Sequence, residues 1–388
     1  MDLDSLLLRA VQAGASDVHL KVGQAPVFRH DGALVTVEDL PPLEGRQLES
    51  VLATVTAQDP GRREGFDDTG ELDLAYTSPG LPRFRVNGFR QRGAISFAFR
   101  LIPSKVPSFP ELGLPEGVAA LAEERRGLVL VTGATGSGKS TTLAAIVGHV
   151  NASRRQHIVT IEDPIEFLHD DQQCIVNQRE VGLDTASFGE ALRRALRADP
   201  DVILIGELRD AETAQTAMQA AESGHLVLST LHTVDAAETI GRMVEFFPPE
   251  KHQQVRSILA GVLRGVVSQR LLPRAAGGRV PAVEVLVTNA RISDLILENR
   301  ADEIQDAIAE GAFFKMQTFT QALIELVVAG EVEREVAANA ATNRHDFLVA
   351  LDHALKQQAV DRQAAEEAED HPPEDDDLSG LRLVQPGE

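Results

Sequence analysis

Tryptophan is absent from this chain of 388 residues, aromatic residues make up only 4%, and cysteine occurs once, at Cys174. One cysteine excludes an intramolecular disulfide and any zinc site built from several cysteines. So few aromatic side chains leave little on which the bases of a single strand can stack. Positive charge is also short, with 37 Lys and Arg against 59 Asp and Glu and a formal net charge of −22. Nucleic-acid phosphates are bound by basic surfaces, so no nucleic acid is expected as a partner. A ring of subunits lining a narrow pore with arginine would still escape this whole-chain count. Part of the charge is local: residues 361–388 hold ten acids and two arginines, a net −8, which leaves −14 for the rest. No run of about 18 apolar residues spans a bilayer. The opening MDLDSLLLRAVQAGASD is acidic and amphipathic, without the basic region and small-residue cleavage site of a signal peptide. The chain is expected to be cytoplasmic.

What is present suits two domains and a tail: 43% hydrophobic and 25% charged residues over a length too great for one core. Residues 1–102 mix short alternating segments with breaks at Asp31-Gly32, Pro41-Pro42 and Pro79-Gly80. Within them RFRVNGF at 83–89 and AISFAFRLI at 94–102 read as paired strands of a small α+β domain. Residues 103–115 carry four prolines and no helical period, and read as a linker. In residues 116–357, apolar runs at 128–131, 158–161, 202–205 and 226–228 alternate with helical stretches at 188–197 and 211–222. Short apolar strands separated by helices predict an α/β domain whose parallel sheet is covered on both faces. From about Ser293 the pattern is wholly helical, and residues 358–388 are polar and charged enough to be expected disordered.

GATGSGKS at 133–140 follows one apolar run and opens a helix, which is the setting a Walker A loop requires. Gly133, Ala134, Thr135, Gly136, Ser137, Gly138, Lys139, Ser140 and Thr141 would cradle the phosphates of ATP. Glycines let the backbone approach, and successive N–H groups at the helix start supply partial positive charge. Lys139 would neutralise the β/γ-phosphates and Ser140 would bind Mg²⁺. The run PDVILIG ends in Glu207, as a Walker B strand ends in an acid, with Gly206 where a magnesium-binding Asp is usual. Glu207 is therefore the candidate for orienting the attacking water at the edge where such sheets bind ligands. A second acidic cluster, TIEDPIE at 160–166, ends in Glu166, placed to hold Mg²⁺ through water or to polarise the nucleophile. His225 and His232 bracket the run LVLST; their spacing rules out a helical metal pair, and a histidine past a sheet edge can sense a γ-phosphate.

With these motifs in order, the chain resembles the type II/type IV secretion ATPases, and in particular their type IV pilus retraction (PilT/PilU-type) branch. The resemblance is carried by ASDVHL at 15–20, RFRVN at 83–87, GATGSGKSTT, TIEDPIEF, VNQREVG at 176–182, ALRRALRADPDVILIGELRD at 191–210 and GHLVLSTLHT at 224–233. It implies a PAS-like N-terminal domain, a RecA-like P-loop NTPase domain and a homo-hexamer that hydrolyses ATP with Mg²⁺. It assigns Glu166, Glu207, His225 and His232 to the site, and it matches Arg85 and Arg100 to arginines that reach ATP, expected here to act on a neighbouring subunit. It implies an inner-membrane pilus platform protein and a paralogous retraction ATPase as partners, and a location at the inner face of the cytoplasmic membrane. Assembly and type II secretion members add a large N-terminal domain and a four-cysteine zinc insertion, so the resemblance points to the retraction side. The retraction motif AIRNLI stands here as RISDLI, with Ser293 in place of its Arg, as in accessory PilU-like members. Two rival readings remain at this stage: a DNA-handling RecA-fold motor, and a regulatory ring without catalysis.

Overall fold

The computed structural model describes residues 2–370 other than Asp31, Gln58 and Ser104. Strands β1 (Asp17–Lys21), β2 (Val27–His30), β3 (Ala33–Thr36), β4 (Glu71–Tyr76), β5 (Phe84–Gln91) and β6 (Ala94–Leu101) belong to the N-terminal domain. They form one antiparallel sheet in the order β3-β2-β1-β6-β5-β4. The segments expected to pair are β5 and β6, joined by a turn at Arg92 and Gly93, both with positive φ. Helices Leu3–Gln12 and Gly45–Val55 bury Leu6, Leu7, Leu48 and Leu52 with Val86, Phe97 and Phe99 of the sheet. Within the expected linker one helical turn, Phe109–Leu112, is capped by contacts between Ser108 and Glu111.

The second sheet contains β7 (Gly127–Thr132), β8 (His157–Glu162), β9 (Ile175–Glu180), β10 (Val202–Ile205), β11 (Leu226–Leu231), β12 (Leu263–Pro273) and β13 (Arg279–Val287). Its order is β13-β12-β7-β11-β10-β8-β9, parallel throughout except for β13 at one edge. The apolar runs are continuous because both faces are covered. Leu128 and Leu130 of β7 enter one core while Val129 and Val131 enter the other, and Ile203 and Ile205 oppose Val202 and Leu204 in the same way. Fully burying each such side chain contributes about 1.5–3 kcal/mol. Helices Phe188–Ala195 and Ala211–Glu222 stand where the sequence predicts them.

The sequence reading did not anticipate β9, β12 or β13. Strand β9 is an edge strand with alternating exposure, and β12 buries polar Ser268 and Gln269, which breaks the apolar signature. The last helix also differs from expectation. It runs Arg344–Asp370, so residues 358–370 continue a helix instead of forming the start of a disordered tail. The remainder of that expected tail, residues 371–388, lies outside the described residues. No helix among the described residues is long and apolar enough to cross a membrane.

The two domains touch through polar groups. Arg83 of the segment leading into β5 pairs with the buried Glu180 at 3.0 Å, and Arg62 donates to the Gly182 carbonyl at 2.5 Å. The amide of Leu168 donates to the carbonyl of Pro103 at 3.4 Å.

A nucleotide site at the end of the parallel sheet

Strand β7 is apolar to its last residues and then meets Gly133, whose φ of 139° only glycine adopts readily. A Cβ there would lie 2.5 Å from the Gln269 carbonyl and 2.6 Å from Ser137 Oγ, so the loop packs against β12 with no room for a side chain. Gly136 (φ 80°) and Gly138 (φ 95°) complete the wrap, and Gly138 caps the helix Lys139–Ser153. The first amides of that helix lack intrahelical partners and face the loop's concavity, a setting that favours an anion. Lys139 Nζ donates to the carbonyls of Gly133 at 2.7 Å and Ala134 at 3.0 Å. Burial lowers the pKa of Lys139, and the nearby charges of Glu207 and Glu166 act against that shift. Ser137 Oγ is buried in the loop without a hydrogen-bond partner. A cradle of free amides, a buried cation and an unpaired hydroxyl fits a polyphosphate.

The loop opens into a cleft of about 620 Å³. Its walls include Gly136, Lys139, Ser140, Thr141, Glu166, Glu207, His232 and, from the N-terminal domain, Arg100. Glu207 stands just beyond β10, where the Gly206 amide bonds the Ile161 carbonyl at 2.8 Å and Thr230 Oγ1 donates to the Gly206 carbonyl at 2.6 Å. Its carboxylate lies 3.2 Å from His232 Nε2 and accepts from Arg209 Nε at 2.9 Å. Arg209 also reaches Asp163 at 3.7 Å, so one guanidinium ties Glu207 to the acidic cluster after β8. Within that cluster, burial raises the pKa of Glu162, although Thr160 Oγ1 (2.7 Å) and Gln178 Nε2 (3.1 Å) donate to it. Glu166 is exposed at the rim. Among the described residues no group of three side chains that could hold a metal ion occurs.

Two expected residues are not brought to this cleft. His225 precedes β11, whereas His232 follows it, so the strand's length of roughly 20 Å separates them. The His225 ring instead bonds the Ala220 carbonyl at 2.9 Å and Ser223 Oγ at 3.1 Å, at the far edge of the sheet. Arg85 lines a separate, smaller cavity with Asp163 and Glu180, and its nearest carboxylate is Asp73 at 3.9 Å. Arg100 lines this cleft within its own chain, with its side chain 71% exposed. The cleft also holds residues that sequence reasoning missed: Phe167, His169, Phe188, Arg209, Leu271 and Arg279. Only Arg209, two residues past Glu207, carried any local signal. His169 has its pKa pressed down by burial to about 4.

The model of the type II/IV secretion system protein family matches residues 1–359. This chain belongs to that family. It is 46% identical to the type IV pilus retraction ATPase PilT of Pseudomonas aeruginosa over 89% of its own length and 100% of that protein. Identity to the type IV pilus ATPase PilU of the same organism is 40%, covering 89% and 90%. A crystal structure of the pilus retraction motor PilT with bound ADP superposes with a TM-score of 0.83, at 43% identity over 89% of this chain and 98% of that one. Within the secretion ATPase family the chain is thus of the PilT type. It is an α/β, RecA-like ATPase carrying a smaller N-terminal domain.

Proposed function

We propose that this secretion ATPase works as a homo-hexameric motor that couples ATP hydrolysis to retraction of a type IV pilus, driving twitching motility. The observation that carries the reading is the meeting of Lys139, Glu207, His232 and Arg100 in one cleft between the domains. Lys139 draws in the β/γ-phosphates and releases the loop carbonyls it now holds. Glu207, fixed by Arg209 and His232, accepts a hydrogen bond from the attacking water and orients it. His232 stands beside Glu207, where a change at the γ-phosphate reaches the loop after β11. Arg100 brings a permanently charged fork from the other domain, so hydrolysis and domain position are linked. Ser140 and Glu166 are the residues that would hold Mg²⁺, which neutralises phosphate charge when bound.

Residues 105–108, which belong to no helix or strand, would give the domains a place to hinge. The expected receiver of the motion is an inner-membrane platform protein, with the ring resting against the inner face of the membrane. Ser293, half-buried and bonded to the Ala260 carbonyl at 3.1 Å, favours a second reading in which the chain assists a paralogous motor. Deleting the gene and counting surface pili distinguishes them. Excess pili with lost twitching marks a principal motor, and unchanged retraction marks an accessory subunit. ATPase activity stimulated by DNA at moderate salt would overturn both in favour of a DNA-handling motor.

A further inference from the structure

Four charged residues stand side by side across the N-terminal sheet. Arg29 on β2 is in register with Asp17 on β1, Asp17 with Arg100 on β6, and Arg100 with Arg85 on β5. Directly paired residues share a face of the sheet, and like charges placed opposite one another are destabilising. The row therefore carries three cations and one anion. That anion is buried: the Asp17 side chain is 8% exposed, whereas Arg100 is 71% exposed. Asp17 Oδ1 accepts from Arg100 Nε at 2.8 Å, while Oδ2 accepts from Ser16 Oγ at 2.8 Å and lies 3.8 Å from Arg29 Nε. Burial works to raise the Asp17 pKa, but the hydrogen bonds from Arg100 and Ser16 outweigh it and hold the pKa below its usual value.

The choice of atom matters. A carboxylate commonly takes a guanidinium by its two ends. Here Asp17 holds the inner nitrogen, Nε, and no hydrogen bond to either terminal nitrogen accompanies it. Arg100 is thus gripped by its neck, and the residue lines the cleft. We propose that Asp17 is a positioning residue that aims the Arg100 guanidinium at the nucleotide phosphates and leaves its terminal donors free for them. The inference rests on the reading of Arg100 given above. The ASDVHL segment, which contains no group in the cleft, then owes its Asp to the chemistry of another strand.

The test uses the full-length assembled enzyme in four forms: wild type, Asp17→Asn, Arg100→Ala and the double variant. Misplacing a group by about 1 Å can cost on the order of 100-fold in rate. Asp17→Asn is therefore expected to lower kcat roughly 10- to 100-fold, with KM for ATP changed less than about threefold. In the Arg100→Ala background the same change should cost nothing further, because the residue it positions is gone. Arg100→Lys, which leaves the buried carboxylate untouched, should be as slow as Arg100→Ala, since lysine has no second set of donors once Asp17 holds it. This variant keeps the test open if Asp17→Asn folds poorly. Wild-type turnover in Arg100→Ala would remove the reading of Arg100 and this inference with it. An impaired Arg100→Ala beside a fully active Asp17→Asn, losses that multiply in the double variant, or a fully active Arg100→Lys would each overturn the role of Asp17 alone.

Discussion

Glu207 is held from two sides by cations or potential cations, Arg209 at 2.9 Å and His232 at 3.2 Å, which keeps its carboxylate in one orientation. Glu207→Gln preserves the shape and one acceptor but loses the charge that organises water. The expected outcome is nucleotide affinity near wild type with turnover reduced about 10²- to 10⁴-fold, read by nucleotide titration and phosphate release. Lost affinity with unchanged turnover would move the water-orienting role to Glu166. His169 gives a pH signature of a different kind. Its folded pKa of about 4 lies below the ordinary 6.5, so the unfolded chain takes up the proton first. Stability from the neutral ring is full above about pH 6.5, drains as pH falls towards 4 and is constant below that. Wild type should thus lose thermal stability relative to His169→Gln across that window, and identical pH profiles would contradict it. Residues just past strand ends, such as Glu207 and His232, were legible because each follows an apolar run that fixes which edge it occupies. His225 shows the limit: one motif holds both histidines, and the strand between them carries one to the site and the other away from it.

The P-loop is an element seated on another element. Gly133 packs against the β12 backbone at Gln269, and Gln269 Nε2 in turn donates to Thr142 Oγ1 of the following helix at 2.9 Å. Gly133→Ala must push the loop off β12 and also force an L residue to a φ of 139°. The expected outcome is a lower melting temperature together with a smaller upward shift on adding ADP, since ligand stabilisation scales with affinity. An unchanged shift would show that the loop tolerates displacement. Strands buried on both faces were legible from sequence as unbroken apolar runs. Strand β12 was not, because the polar residues that brace the P-loop, Ser268 bonded to Thr132 at 2.9 Å and Gln269, interrupt its pattern. Leu271 and Arg279 line the cleft from this hairpin and were missed for the same reason.

At the scale of the assembled molecule, the placement of Arg100 decides how subunits depend on one another. It lines the cleft of its own chain, where it would serve the P-loop of the same subunit. Lys139→Ala subunits keep Arg100 without a working loop, and Arg100→Ala subunits keep the loop without the arginine. Neither should turn over ATP alone, and mixed rings should recover nothing, because no cleft in the mixture is complete. Recovered activity in verified mixed rings would mean that Arg100 serves a neighbour. The family resemblance implies that neighbour relationship, and the mixed rings decide between the two. Arg85 and Arg100 are direct partners across β5 and β6, yet which way the domain is turned fixes which one meets the P-loop.

The ion pair between Arg83 and Glu180 joins the domains, and Glu180 does a second thing: it accepts the amide of Ile165 at 3.3 Å, one residue before Glu166. One buried carboxylate therefore grips both the N-terminal domain and the backbone beneath an acid of the cleft. A displacement of the N-terminal sheet would reach that backbone through Arg83. On the motor reading proposed above, load on the N-terminal domain would be felt as a shift of Glu166 in the cleft.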